Sequence, residues 1–381
     1  MQTNSGAGAQ KFRVLISGHL PPPMSGIGAY YQTLLSSSLP ERVDLRFIDT
    51  SSRRRASSET GRWSLANLFS ALADCLRFAK AAAAHRPQIS HIATAFGLSF
   101  VKHSLCVALA KWTGSRVLLH PHCSFHALYE RHGKIWRWYV RKTIGLCAGV
   151  IVLSNEWKGL REVLPNCRIA YLPNAIQLDD YVKVGRERIA AGTEKPGLEI
   201  LYLGFLGRAK GSFDLLRAAK IVGAQRHQVV FRLVGQELTA GEMDALEAQA
   251  KSDGLESFVH IQPAVAGAEK IAALRSADIF VYPSYHEGMP MAVIEALACG
   301  LPVVATQVGG LPDLVFPQVN GLLVPAGQPD QLADALLQLI DSPQTRSAMQ
   351  RESLRLAQEN FDIEKLVARL LDIYQSALAP R

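Results

Sequence analysis

At 381 residues, 48% of them hydrophobic and 19% charged, the chain has the length for two folded domains and is too apolar to be a disordered protein. No apolar run reaches the ~18 residues that cross a bilayer, and the opening MQTNSGAGAQ has no signal-peptide core. A cytosolic protein with a loose tail over residues 1–10 is therefore expected. The net charge of +8 is uneven, since residues 1–175 hold 22 Lys and Arg against 8 Asp and Glu and the remainder 19 against 25, which directs an anionic partner, nucleic acid or a phospholipid surface, to the first half.

Taken in order, strand-like apolar runs fall at 12–17, 43–48, 89–93, 117–120, 150–153 and 169–172, and helical periodicity lies between them at 27–38, 63–84, 98–112 and 135–146. A polar segment with Gly192 and Pro196, residues 177–197, reads as a linker. The alternation then restarts at 200–203, 229–234, 259–261, 279–283 and 301–306, and a helix is expected over 361–379. This predicts an α/β protein of two Rossmann-like, doubly wound domains, 11–176 and 198–360, facing an interdomain cleft where ligands bind. Six cysteines without a C-x-x-C pair, mostly inside apolar segments, point to buried free thiols rather than disulfides or zinc.

Four stretches carry candidate chemistry. The first strand runs into Ser25-Gly26-Ile27-Gly28, where Gly26 and Gly28 allow backbone amides close to a pyrophosphate; a tight turn with close helix packing is the competing reading. The fourth strand runs into HPHCSFHALYERHG, in which His120 and His122 share a face and His126 follows, without the further ligands that would complete a zinc site. In LYLGFLGRAKGS, Arg208 and Lys210 form a cationic pair suited to a departing diphosphate, or an ordinary solvated loop. Within 279–325 the pattern is strand, loop, helix, strand, with Pro290 expected at the first helical position and Gly300 at the end; Glu287 on the loop and Glu295 on the helix flank a helix N-terminus that favours an anion. Two basic stretches remain, SSRRRASSETGRW at 51–63 and RHGKIWRWYVRK at 131–142. The second interleaves Trp136 and Trp138 with five Lys and Arg and suits an anionic membrane interface, while nucleic acid has no accompanying motif and a plain surface helix stays open.

The string HEGMPMAVIEALACGLPVVATQVGGLPDLV resembles the Glu-x7-Glu signature of the family-4 retaining glycosyltransferases of GT-B fold, and LSNEWKGL and YLPNAI are similar to other landmarks of that family. The resemblance covers nearly the whole chain. It implies transfer of a hexose-type sugar from a UDP- or GDP-sugar, without a metal or other cofactor, to an acceptor hydroxyl. It further implies that Glu295 holds the ribose, that Glu287 with Gly288, Met289 and Met291 holds the sugar, and that Lys210, helped by Arg208, stabilises the leaving diphosphate. His122 would lie beside the donor sugar, and the last helix would cross back to the first domain. Two departures stand out: Ser25 replaces the first Gly of a Gly-Gly-x-Gly loop, and Phe205 replaces an Arg after Gly204. The basic first half favours a lipid-linked glycan acceptor at the cytoplasmic membrane face. A soluble sugar acceptor, or a catalytically silent nucleotide-binding subunit, is the alternative; a nucleotide-sugar epimerase does not account for Glu-x7-Glu.

Overall fold

Twelve strands form two parallel sheets of six, among the residues that the structure, a computed structural model, describes: 11–22, 25–50, 65–193 and 197–379, with backbone alone at 65–68. The tail at 1–10 and the basic stretch 51–63 lie outside them. The first sheet contains β1 (Arg13–Gly18), β2 (Asp44–Asp49), β3 (Ile89–Thr94), β4 (Arg116–Pro121), β5 (Gly149–Val152) and β6 (Ile169–Tyr171), in the order β2-β1-β3-β4-β5-β6. The second contains β7 (Leu198–Leu203), β8 (Val229–Val234), β9 (Val259–Gln262), β10 (Ile279–Tyr282), β11 (Val303–Thr306) and β12 (Gly321–Val324), in the order β12-β11-β10-β7-β8-β9. Every strand-like run of the sequence is thus a strand, because a parallel strand covered on both faces must be apolar throughout; β3, β10 and β11 are buried at every position.

Helices cover both faces of each sheet. On one side of the first sheet the helices Leu65–His85, Leu98–Trp112 and Lys134–Gly145 share a core with Leu119, Val150 and Val152. On the other side lie the helix Gly26–Leu35 and the last helix, Ile363–Leu378. That last helix places Ile363, Leu366, Val367, Leu370 and Tyr374 against the first sheet at helical spacing, so the end of the chain belongs to the core of its beginning. Asp362 caps it, its Oδ1 accepting from the amides of Glu364 and Lys365. The chain therefore passes between the domains twice, and the two passages run together: the Ile176 amide donates to the Phe361 carbonyl at 3.0 Å, and the Ile363 amide to the Ile176 carbonyl at 3.1 Å.

Two local differences from the sequence reading have physical causes. The stretch 177–197, polar enough to suggest a linker, carries the helix Asp179–Ala191, which packs on the second domain. Gly185 lies against the carbonyl of Ala298, where a Cβ would approach to 2.8 Å, and Arg188 donates to the carbonyls of Cys299 and Leu274 at 2.8 and 2.6 Å. Its charges are thus turned outward or spent on helix ends. Pro290, expected as the first helical residue, stands one position earlier: its ψ of 125° is extended, and the helix is Met291–Ala298.

Candidate functional site

In the second sheet the strand order reverses between β7 and β10, and a crevice opens at the carboxyl ends of strands at such a point. Two loops meet there. The first leaves β7 through Gly204 and makes a 3-10 turn at Arg208–Lys210 before the helix Ser212–Gln225; the second leaves β10 and carries Glu287. They are packed backbone to backbone, the Tyr285 amide donating to the Ala209 carbonyl at 3.2 Å. Gly211, at φ 71°, lies so close to the Pro283 carbonyl that any side chain would overlap it. The outcome is an ion pair, Lys210 Nζ to Glu287 Oε1 at 2.6 Å, with the Glu287 side chain 9% exposed. Beneath it, burial first and the Glu287 charge second push the phenols of Tyr202 and Tyr282 well up, so both remain protonated. A third loop, after β11, holds the second in place: the Gly310 amide donates to the Gly288 carbonyl at 2.8 Å, and Gly309, at φ 54°, abuts the Glu287 carbonyl.

The first domain meets this loop at its own strand ends. A Cβ on Gly288 would come within 3.2 Å of the His122 carbonyl, so the residue after the carboxylate touches the chain just beyond β4. Asn174 of YLPNAI clamps Met289, its Nδ2 donating to the Met289 carbonyl at 2.7 Å, and Asn155 of LSNEWKGL donates through Nδ2 to Asp313 at 2.9 Å. The ring of His122 lies against that of His120, tilted by 38° with centroids 4.2 Å apart, and against Tyr30 and Tyr31 at 5.2 and 5.6 Å. Its Nε2 is shut off from solvent and has no hydrogen-bond partner among the described residues. Below it, His91 bridges the Nδ1 of His120, at 3.0 Å, and the hydroxyl of Tyr374 on the last helix, at 2.7 Å.

Burial pushes the imidazole of His122 down to about 3, that of His91 to about 3 and that of His19 to about 4, and pushes His103 and His120 well below their ordinary value. All five are neutral at pH 7. Their folded values lie below the unfolded one, so the unfolded chain binds more protons once the pH falls beneath about 6.5, and stability that is full above that point is lost on the way down. The expected slope is about 1.4 kcal/mol per pH unit for each histidine. Urea unfolding midpoints compared at neutral pH and at about pH 5 should show a steep loss, and equal midpoints would contradict the neutral buried cluster.

The remaining sequence candidates are placed as follows. Glu295, on the helix Met291–Ala298, is buried; its Oε1 accepts from Lys270 Nζ at 2.5 Å and from the Tyr181 hydroxyl at 3.3 Å. Arg208 is not drawn to Glu287: its guanidinium stacks 4.3 Å over the ring of Phe213, and its amide donates to Glu242. Met289 is buried and its Sδ faces the Asn174 amide at 3.3 Å, while Met291 opens the helix, also buried. The Gly28 amide donates to the Ser25 hydroxyl at 3.0 Å, which makes Ser25 the N-cap of its helix and accounts for a Ser at that position. Among the described residues, nothing lies within 4 Å of where a Cβ on Gly26 would stand. Gly26→Ala should therefore leave stability within about 0.5 kcal/mol; an accompanying rise in donor KM would assign Gly26 to pyrophosphate binding, and an unchanged donor KM would remove it from that role. Lys270, Tyr181 and Asn174 were not singled out in the sequence. Among the described residues no group of three His, Cys, Asp or Glu is arranged to hold a metal ion.

Residues 186–355 match the family described as glycosyl transferases group 1. This chain carries a group 1 glycosyltransferase domain. A D-inositol 3-phosphate glycosyltransferase of Arthrobacter sp. (strain FB24) is 34% identical to the chain over 194 residues, which is 51% of the chain and 46% of the relative. The match spans about half the length of such relatives. Sucrose-phosphate synthase of Thermosynechococcus elongatus superposes with a TM-score of 0.73 at 19% identity, over 97% of this chain and 99% of that one. The Anabaena protein HepE, in complex with UDP, does so with a TM-score of 0.70 at 18% identity, over 96% and 100%. At these identities the likeness concerns the fold, and the glycosyltransferase domain sits in a GT-B fold whose two sheets face each other across the cleft.

Proposed function

We propose that the protein is a retaining, metal-independent glycosyltransferase that moves a hexose from a UDP-sugar, or the corresponding GDP-sugar, to a hydroxyl of a lipid-linked, phosphate-bearing glycan at the cytoplasmic face of the membrane, in cell-surface polysaccharide assembly. The observation that carries the transfer reading is the Lys210–Glu287 pair at the reversal point of the second sheet. A cation at that place faces the diphosphate, together with the N-terminus of the helix Ser212–Gln225, and a carboxylate beside it accepts from sugar hydroxyls. In the reaction the bond from the anomeric carbon to the diphosphate oxygen breaks while the acceptor oxygen bonds to the same face of that carbon. The acceptor proton passes to the departing phosphate oxygen, so configuration is retained and charge balances. His122, neutral through burial, lines this place as a hydrogen-bonding group and not as a charge.

The donor assignment is tested by thermal unfolding with UDP, GDP and ADP. A ligand at a hundred times its dissociation constant adds about 2.7 kcal/mol. UDP is expected to raise the unfolding temperature most, in keeping with UDP bound to HepE; no rise with any nucleotide at saturating concentration would overturn the donor reading. Glu295→Gln should weaken the UDP effect by about ten- to a hundredfold in affinity, since a buried carboxylate facing ribose hydroxyls is lost. An undiminished effect would take Glu295 out of the nucleotide site. For the acceptor, the basic first half supports a lipid-linked phosphate. A soluble phosphorylated sugar is the second reading, favoured by relatives named for inositol 3-phosphate and sucrose phosphate. Rates with each acceptor class, and the anomeric configuration of the product by NMR, separate them.

A further inference from the structure

The most exposed large apolar side chains among the described residues gather on one side of the first domain: Trp112 and Ile135 at 86%, Phe69 at 71%, Leu76 at 63% and Trp138 at 60%. All five belong to the helices Leu65–His85, Leu98–Trp112 and Lys134–Gly145, whose inner faces fill the same core. The three are neighbours in one layer. Lys102 joins the second to Asp74 on the first at 2.9 Å, and Phe100 on the second packs against Trp136 and Tyr139 on the third at 5.8 and 5.9 Å. A helix that buries one face normally turns polar residues to water. Here the opposite face is apolar too, at one-turn and two-turn spacing: Phe69, Leu72 and Leu76 on the first helix, Leu105, Ala108 and Trp112 on the second, Ile135 and Trp138 on the third.

The charges between these side chains have one sign. Residues 65–148 contain eleven Lys and Arg against two acids, Asp74 and Glu130, and Asp74 is buried between Arg77 and Lys102. Arg77, Lys80, Lys111, Lys134, Arg141 and Lys142 are exposed around the apolar stripes. We infer that the outer face of this three-helix layer docks on an anionic lipid bilayer. Cations with Trp, Phe and Leu on one face match a surface whose headgroups are negative and whose next layer is hydrocarbon, whereas a second copy of the chain would bring like charges together. The inference deepens the lipid-linked reading of the acceptor and rests on that reading for its purpose.

The geometry connects the face to the cleft. The second and third helices follow the carboxyl ends of β3 and β4, the edge on which His122 lies, so Ile135 stands toward the cleft and Trp112, at the end of its helix, toward the far side. Phe96, just past β3 and half exposed, extends the apolar rim at that edge, with the Arg131 guanidinium 5.4 Å over its ring. An acceptor held in the headgroup layer would then reach the cleft from the side without leaving the membrane.

The full chain should be sedimented with vesicles of phosphatidylcholine alone and of phosphatidylcholine with phosphatidylglycerol, beside a variant carrying Leu76→Ser, Trp112→Ser and Trp138→Ser. The native chain is expected to partition onto the anionic vesicles and stay with the supernatant of the neutral ones. The variant is expected to lose at least about tenfold in partitioning while its circular-dichroism melting temperature and its response to UDP stay unchanged. Equal recovery of the native chain from both vesicles, or undiminished binding by the folded variant, overturns the inference. A native dimer in sedimentation equilibrium that the variant loses assigns the face to a second copy and overturns it also. Vesicle binding without any UDP response would leave the docking face standing and remove the donor reading, so the two failures are distinct.

Discussion

Glu287→Gln is expected to lower the rate of sugar transfer by about 10²- to 10³-fold while leaving the UDP-dependent rise in unfolding temperature in place. The substitution keeps the shape of the side chain and removes its charge. Lys210, 2.6 Å away, then loses the group that neutralises it, so the site gains a net positive charge that still attracts a diphosphate. What disappears is the negative charge of the proposed acceptor of hydrogen bonds from the sugar; the amide oxygen of Gln accepts more weakly, and the difference grows as positive charge develops at the anomeric carbon. The effect should fall on kcat more than on KM, the signature of an interaction made in the transition state. Initial rates with the donor that gives the largest thermal shift, measured beside a UDP titration of the variant, check both halves. A variant that keeps most of the native rate refutes the role; one that loses the UDP response as well shows that Glu287 shapes the loop and nothing more.

Gly309→Ala is expected to be nearly as damaging to transfer, by a different route. The position has φ 54°, and an added Cβ would overlap the Glu287 carbonyl oxygen, backbone against backbone. Neither partner has room to yield, because Gly310 abuts the Gly288 carbonyl next to it and the Gly310 amide donates to that carbonyl at 2.8 Å. A non-glycine residue in this region of backbone space and the forced separation of two packed loops together cost about 1–3 kcal/mol. At about 2–4 °C per kcal/mol for a domain of this size, the unfolding temperature should drop by several degrees. The loop that moves is the one bearing the carboxylate, so transfer should fall by about a hundredfold even where the protein stays folded, as a displacement of 1 Å does elsewhere. Circular-dichroism melting and initial rates on the same preparation read the two effects. A stable variant with native activity would mean that the glycine pair does not hold Glu287.

The sequence made the strands and the carboxylate pair visible because both are local signals. β10, the loop, the helix Met291–Ala298 and β11 follow one another within thirty residues, and their apolar runs, Pro and Gly mark each change of direction. The partners of the carboxylates were hidden because they come from elsewhere in the chain: Lys270 lies 25 positions before Glu295, and Tyr181 lies 114 before it, on a helix whose charge disguised its periodicity. Asn174 lay in a stretch similar to a family landmark, but its grip on Met289 across 115 residues is a property of how the domains meet. For Arg208 the competing interaction was local but silent, since nothing in GRAKGSF says that the Phe213 ring will take the guanidinium. Exposure is equally unreadable: Trp112 ends an apolar helix, yet among the described residues no element covers it.

The paired passages at Ile176 and Phe361–Ile363 carry a mechanical consequence. Two covalent connections that run side by side and are tied by hydrogen bonds work as a single hinge pin, which lets two bodies swing and hinders them from twisting or sliding. Lys210, Glu287, Lys270 and Glu295 all ride on one leaf of that hinge, and His122 rides on the other. A swing about the pin would part His122 from Gly288 while the Lys210–Glu287 and Lys270–Glu295 pairs stayed whole.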